Sequence, residues 1–114
     1  MPCFHVLVSS KLDATQKTAL KTRMGKAIEA MPGKSEAWLM VVIEDGACIY
    51  FKGNQDAPSA YVEVSLLGKE NAAAFEKMTA SLCKILQEEA GIPEDRAYIK
   101  YSTTAYWGWN GGNF

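Results

Sequence analysis

The order strand, helix, strand occurs twice along this chain, and that doubling limits the available folds more than any other feature. In the first half CFHVLVSS reads as a strand. Asp13 and Gln16 follow at capping-box spacing, and Leu20, Met24, Ala27, Ile28 and Met31 then recur at helical intervals. Pro32 and Gly33 stop that helix, and AWLMVVIED, from Ala37 towards a turn at Asp45 and Gly46, is an apolar run suited to a strand. The second half offers YVEVSLL as strand, a helix with Phe75, Met78, Leu82, Ile85 and Leu86 on one stripe, a stop from Gly91 to Pro93, and RAYIKY as strand. Between the halves, ACIYFKG is expected to form a further short strand and GNQDAPS a loop. The expected fold is α+β of the α/β-type repeat kind: two βαβ units, about 2–55 and 60–110, in a single domain 1–114. They should form a four-stranded mixed sheet with two helices on one face, plus short extra strands.

That arrangement leaves a burial problem. Crossovers of one preferred hand lay both helices on the same sheet face, so the opposite face is uncovered. Yet WLMVVI is apolar at consecutive positions, the pattern of a strand buried on both sides. No third helix is available to cover it. Copies of the same chain closed by rotational symmetry are the simplest cover, which predicts a homo-oligomer with its sheets facing inward.

Composition narrows the partners. At 114 residues with 48% hydrophobic and 22% charged residues, the chain has the material for one soluble globular core. Its formal net charge of -1 gives no electrostatic footprint for nucleic acid or an anionic membrane, so small molecules or proteins are the expected partners. The first ten residues lack a basic stretch ahead of an apolar segment, and no apolar run reaches membrane-spanning length. A cytoplasmic location follows, without an ordinary export signal. Cys3, Cys48 and Cys83 are odd in number, far apart and without a CxxC, so neither a disulfide framework nor a metal site is expected.

Pro2 directly follows the initiator methionine, which aminopeptidases remove when the second residue is this small. Proline has no amide hydrogen to give a sheet and is tolerated as the first residue of a strand. Two readings are open. Pro2 is a tolerated or processing-related residue, the default on its own, or a conformationally fixed amine that serves as base or nucleophile.

Several motifs then carry a resemblance. Pro2 at a strand start, Gly33 and Lys34 past the first helix, SLLGK at Ser65 to Lys69, IPEDRAYIKY after the second helix and WGWNGGNF at the tail occur in order over the whole chain. Together they resemble the macrophage migration inhibitory factor family of the tautomerase superfamily. The resemblance implies trimers of the doubled βαβ unit, no cofactor, and an exposed N-terminal proline that moves a proton between the carbon and oxygen ends of a keto–enol pair. Pro2 then becomes the favoured base. An α-amino group starts at about 7.7 to 8.0, and desolvation or a nearby cation lowers it further, towards the range where a base works best.

Other roles follow from the same resemblance. Lys34 would stand at the pocket mouth and bind a substrate carboxylate or carbonyl oxygen. Leu67 would contact the ligand through its backbone. Tyr98, donated by a neighbouring subunit, and Trp109 match aromatic pocket positions. Trp38 takes the place of a rim tyrosine, and Trp107 that of a small apolar wall residue. Each also has a plain reading as solvated cation, core or interface packing. Lys100 stands where the best-known members have an asparagine that bonds the ligand, so a second cation is expected to enter the pocket or to reach solvent. Ser59 and Val62 fill the places of a redox CxxC found in some members, and thiol oxidoreductase activity is not expected. Phe114 is either pocket wall or interface plug, and His5 a sheet histidine.

The implied activity is keto–enol tautomerisation of phenylpyruvate-like and dopachrome-like compounds. The alternative is a cytokine-like signalling protein with a receptor, secreted without a signal peptide, whose pocket is vestigial or only binds. A ferredoxin-like regulatory domain with an accidental proline is a third reading.

Overall fold

The computed structural model describes residues 1–114. Six strands and two α-helices are connected in the order β1 (Pro2–Val8), α1 (Ala14–Ala27), β2 (Met40–Glu44), β3 (Ala60–Leu67), α2 (Ala72–Ala90), β4 (Ala97–Thr104), β5 (Gly108–Trp109) and β6 (Gly112–Asn113). The first four strands form one sheet in the order β2-β1-β3-β4. β1 and β2 are parallel, as are β3 and β4, while β1 and β3 meet antiparallel at the centre. Each strand–helix–strand half thus supplies one parallel pair, and the antiparallel seam makes the sheet mixed. No helix is long and apolar enough to cross a membrane.

Local chemistry accounts for both helices. Asp13 and Gln16 form a complete capping box: the Gln16 amide donates to Asp13 Oδ1 at 2.7 Å and the Asp13 amide donates to Gln16 Oε1 at 3.0 Å. α1 tightens into a 3-10 turn over Ile28–Ala30, which still carries Ile28 into the core. Asn71 caps α2 by accepting from the Ala74 amide at 3.1 Å. Met78, Leu82, Ile85 and Leu86 of α2 and Leu20 and Met24 of α1 pack on Phe4, Val6, Val62 and Val64 of the two central strands.

The period of 2 puts the alternate residues on a face with no helix. Across that face Val42, His5, Glu63 and Lys100 stand in register on β2, β1, β3 and β4, and His5 is hydrogen-bonded to Glu44. Met40 and Val42 remain exposed, at 62% and 37%, so the apolar run of β2 is not buried on both sides within one chain.

Two expectations are corrected. The strand expected from Ala37 starts at Met40, because Glu36–Trp38 winds into a 3-10 turn. ACIYFKG is no strand, since a strand exists only through a ladder and this segment finds no partner strand; it holds one isolated bridge, Phe51 to Asn54. Short extra strands instead occur at the tail, as β5 and β6.

The turn after β2 is tied to the entry of α1. Asp45 Oδ2 accepts from the Leu12 amide at 2.9 Å, and Asp45 Oδ1 lies 3.5 Å from Lys17 Nζ. The Leu12 hydrogen bond, aided by Lys17 and opposed by partial burial, holds this carboxyl below its ordinary value of 3.8. A carboxyl depressed in the fold stabilises above its unfolded value and loses that contribution as pH falls through the folded one. Asp45→Asn, which keeps an acceptor for Leu12 but no charge, should therefore lower Tm at neutral pH. Thermal scans should show the gap to the parent closing only below the ordinary value of 3.8.

Candidate active site

The start of β1 and the end of β3 define one end of the sheet. Pro2 is buried and stands opposite Leu66, and its missing N–H costs the ladder nothing at a first residue. One residue earlier, the Met1 carbonyl accepts from the Leu67 amide at 3.0 Å. The chain terminus is thereby pinned at the sheet end.

Lys34 comes to the same place from the segment after the first helix and its 3-10 turn. Its backbone leaves the end of the first helical segment by donating to the Met31 carbonyl at 3.1 Å, and its Nζ donates to the Leu67 carbonyl at 2.7 Å. The terminal amine, here Met1's, is lowered from its ordinary value of 8.0. Desolvation is the first cause, followed by the Lys34 ammonium through its charge and its hydrogen bond. Met1 occupies the position next to which a Pro2 terminus would stand, so its amine serves as a stand-in for that environment. It does not stand for the proline nitrogen itself, which is an amide in this chain.

A cleft of about 590 Å³ opens beside Pro2, lined by Met1, Pro2, Cys3, Trp38, Met40, Trp107 and Trp109 among others. Its walls are mostly apolar. The 3-10 turn that shortens β2 is what swings Trp38 to this rim, where it meets Trp109 edge-on at 5.0 Å. Phe114 completes the cluster, stacked on Trp109 at 5.8 Å and edge-on to Trp38 at 5.9 Å. The tail can do this because β5 and β6 are joined by Asn110 and Gly111 at φ 52 and 83, the two left-handed residues of a type I′ hairpin. The Phe114 amide then donates to the Trp107 carbonyl at 3.0 Å, folding the terminus back. A smaller cavity of about 150 Å³ is lined by Lys34, Leu67, Lys69 and Asn71, among others.

The sequence candidates therefore divide. Pro2, Trp38, Trp107 and Trp109 line one cleft, and Lys34 and Leu67 are bonded to each other beside its terminus. Tyr98 and Lys100 lie elsewhere. Tyr98 pairs with Tyr61, five β3 positions from Leu66, which at strand rise is about 17 Å along the sheet. Lys100 pairs with Glu63, three positions away or about 10 Å. Neither reaches the Pro2 cleft of its own chain. Tyr98 is 64% exposed, and both side chains stand on the uncovered sheet face.

Cys3 and Met40 were absent from the sequence candidates, although they are paired opposite one another in the cleft. Only the β1–β2 register brings them together, and nothing local encodes it. For Phe114 there was a signal, the Asn110–Gly111 dipeptide, which predicts a tight hairpin that returns the tail.

The sequence profile described as Macrophage migration inhibitory factor (MIF) matches residues 1–114. Macrophage migration inhibitory factor of Xenopus laevis is 28% identical over 116 residues, covering 100% of this chain and 99% of that one. The crystal structure of Leishmania major MIF2 superposes with a TM-score of 0.93 at 34% identity, covering 100% of this chain and 97% of that chain. A homologue from Prochlorococcus marinus superposes with a TM-score of 0.88 at 29% identity, covering 98% of each. The match runs through both βαβ halves and the aromatic tail without a gap in coverage, and the chain belongs to the macrophage migration inhibitory factor family.

Proposed function

We propose that the protein is a keto–enol tautomerase whose base is the amine of Pro2, freed by removal of Met1. The observation that carries this reading is the geometry of the chain terminus: Pro2 lines an apolar aromatic cleft, Lys34 is bonded to the Leu67 carbonyl beside it, and desolvation together with Lys34 lowers the Met1 amine there. An unprotonated amine can take a proton from the carbon next to a carbonyl. The electron pair of that C–H bond moves into the carbonyl, and the proton is returned to the resulting enolate oxygen. Lys34, whose Nζ already meets a carbonyl oxygen, offers a cation to the substrate carboxylate or to the developing oxyanion. Aryl 2-oxo acids of the phenylpyruvate kind, and dopachrome-like compounds, match this pairing of cation and aromatic wall. The pocket would be completed in a homotrimer, in which the uncovered sheet faces are buried and Tyr98 and Lys100 of one subunit serve a neighbour's cleft. Glu63 stands in register beside Lys100, so that second cation would arrive with a carboxylate next to it. A cytokine role draws support from the relatives' names alone.

A keto–enol assay on phenylpyruvate tests the activity; absence of turnover across the pH range by protein shown to begin at Pro2 overturns it. Lys34→Gln tests the electrostatics. The base works unprotonated, and removing the ammonium makes its protonated form easier to hold, so the acidic limb of the kcat/KM profile should move to higher pH. KM for the acid should rise about ten- to a hundredfold, the range for loss of one charge-assisted hydrogen bond. An unmoved limb would take Lys34 out of contact with the base.

A further inference from the structure

The segment Phe51–Asn54 is a closed two-residue turn far from the cleft. The Phe51 amide donates to the Asn54 carbonyl at 2.9 Å, the Asn54 amide returns the bond at 3.1 Å, and Lys52 and Gly53 have φ of 52 and 79. Two successive left-handed residues define a type I′ turn, which favours Asn, Asp or Gly at its first central position. Lysine there is in a strained conformation, and strain of this kind persists only where the surroundings hold it.

What holds it is Arg96. Its Nε donates to Ser59 Oγ at 2.9 Å, one terminal nitrogen donates to Asn54 Oδ1 at 3.0 Å and the other to the Asn54 carbonyl at 3.1 Å. The guanidinium also lies over the Phe51 ring, 5.4 Å from its centre. Ser59 is a fixed anchor: it is only 1% exposed, and its backbone exchanges bonds of 2.8 and 2.9 Å with Ser9 at the end of β1. Phe51 also meets Tyr98, with ring centres 5.1 Å apart and planes at 76°. Tyr98 follows Arg96 by two residues, so the contacts close a ring: Arg96, turn, Phe51, Tyr98 and back through Ala97 to Arg96.

We propose that Arg96 is a positioning residue for the shared site, acting through Phe51 to fix the ring of Tyr98 before a neighbour's cleft receives it. The proposal rests on the reading that Tyr98 serves a neighbouring subunit. A tyrosine 64% exposed on an edge strand would otherwise sample several rotamers, and ordering it on binding weakens affinity. The edge contact with Phe51 selects one orientation while the residue stays 64% exposed to a partner. Arg96 has the geometry for this because its planar fork satisfies three acceptors at once, which a lysine does not.

The experiment compares Phe51→Leu, Phe51→Tyr, Arg96→Lys and Tyr98→Ala, and the double variant Phe51→Leu/Tyr98→Ala, by steady-state kinetics on phenylpyruvate. Phe51→Leu and Arg96→Lys should each raise KM by about two- to tenfold, the span of one aromatic pair, with kcat held within about twofold. Phe51→Tyr, which keeps a ring, should retain the parent KM, and the acidic limb of the pH profile should not move in any of them. In the Tyr98→Ala background Phe51→Leu should add nothing, because the residue it positions is gone. If Arg96→Lys does not fold, the Phe51 variants decide alone. A lower Tm with unchanged KM for Phe51→Leu, beside a raised KM for Tyr98→Ala, would reduce the ring to loop packing and overturn the positioning role only. An unchanged KM for Tyr98→Ala would remove that residue from the site and overturn both readings.

Discussion

Pro2→Gly is expected to cut tautomerase turnover by about 10²- to 10⁴-fold, the contribution of a well-placed general base, while leaving the fold intact. The fold should survive because Pro2 is the first residue of β1 and has no N–H to donate to the sheet; the ladder to β3 runs on through Cys3 and its successors. Glycine at the terminus still carries an amine, but a primary one without the ring that fixes its direction. Retention of Met1 should have an effect as large. It turns the proline nitrogen into an amide with no basicity and puts a flexible side chain into the cleft, whose lining includes Met1 as well as Pro2. Intact-mass measurement on the assayed preparation is the check: a fully active protein with Met1 wholly present would exclude the Pro2 amine as the base.

The doubled strand–helix–strand order was legible because each element carries its own local signature. Asp13 and Gln16 announce α1 at its first turn, and Met78, Leu82 and Leu86 recur at the spacing that puts them on one buried side of α2. The capping box needs only four consecutive residues. What the local pattern could not carry is pairing. The β1–β3 register that sets Pro2 opposite Leu66, and the bond from Lys34 to the Leu67 carbonyl, join positions remote in sequence, and only the packed core fixes them. ACIYFKG has strand composition but no partner strand within the chain, so composition overstated it. Trp38 sits in an apolar run that reads as strand throughout, yet the turn at Glu36–Trp38 rotates it onto the cleft rim. The resemblance supplied candidates that local patterns do not mark, and the geometry of one chain gathers six of them at one end of the sheet. It leaves Tyr98 and Lys100 out.

Mixing two defective chains decides whether Tyr98 belongs to a neighbour's site. Within one chain the Tyr98 and Pro2 positions are about 17 Å apart along the sheet, farther than a tyrosine side chain reaches, so a direct role for Tyr98 demands a second subunit. The Tyr98→Ala protein alone should lose roughly tenfold or more in kcat/KM, as expected when one aromatic wall and its hydroxyl are removed. The Pro2→Gly protein alone should be nearly inactive. In a ring with sites between adjacent subunits, a Tyr98→Ala chain contributes an intact Pro2 and its Pro2→Gly neighbour an intact Tyr98. Equal random mixing then makes about one quarter of the sites fully wild type, since each contributor is the right one half of the time. Chains refolded together from denaturant should therefore show close to a quarter of parental activity, well above the mean of the two pure proteins. The same chains refolded separately and then combined should stay at that mean until subunits exchange. Sites built from a single chain permit no such recovery at any ratio, and a monodisperse active monomer in analytical ultracentrifugation would reject the shared site together with the burial of the open sheet face.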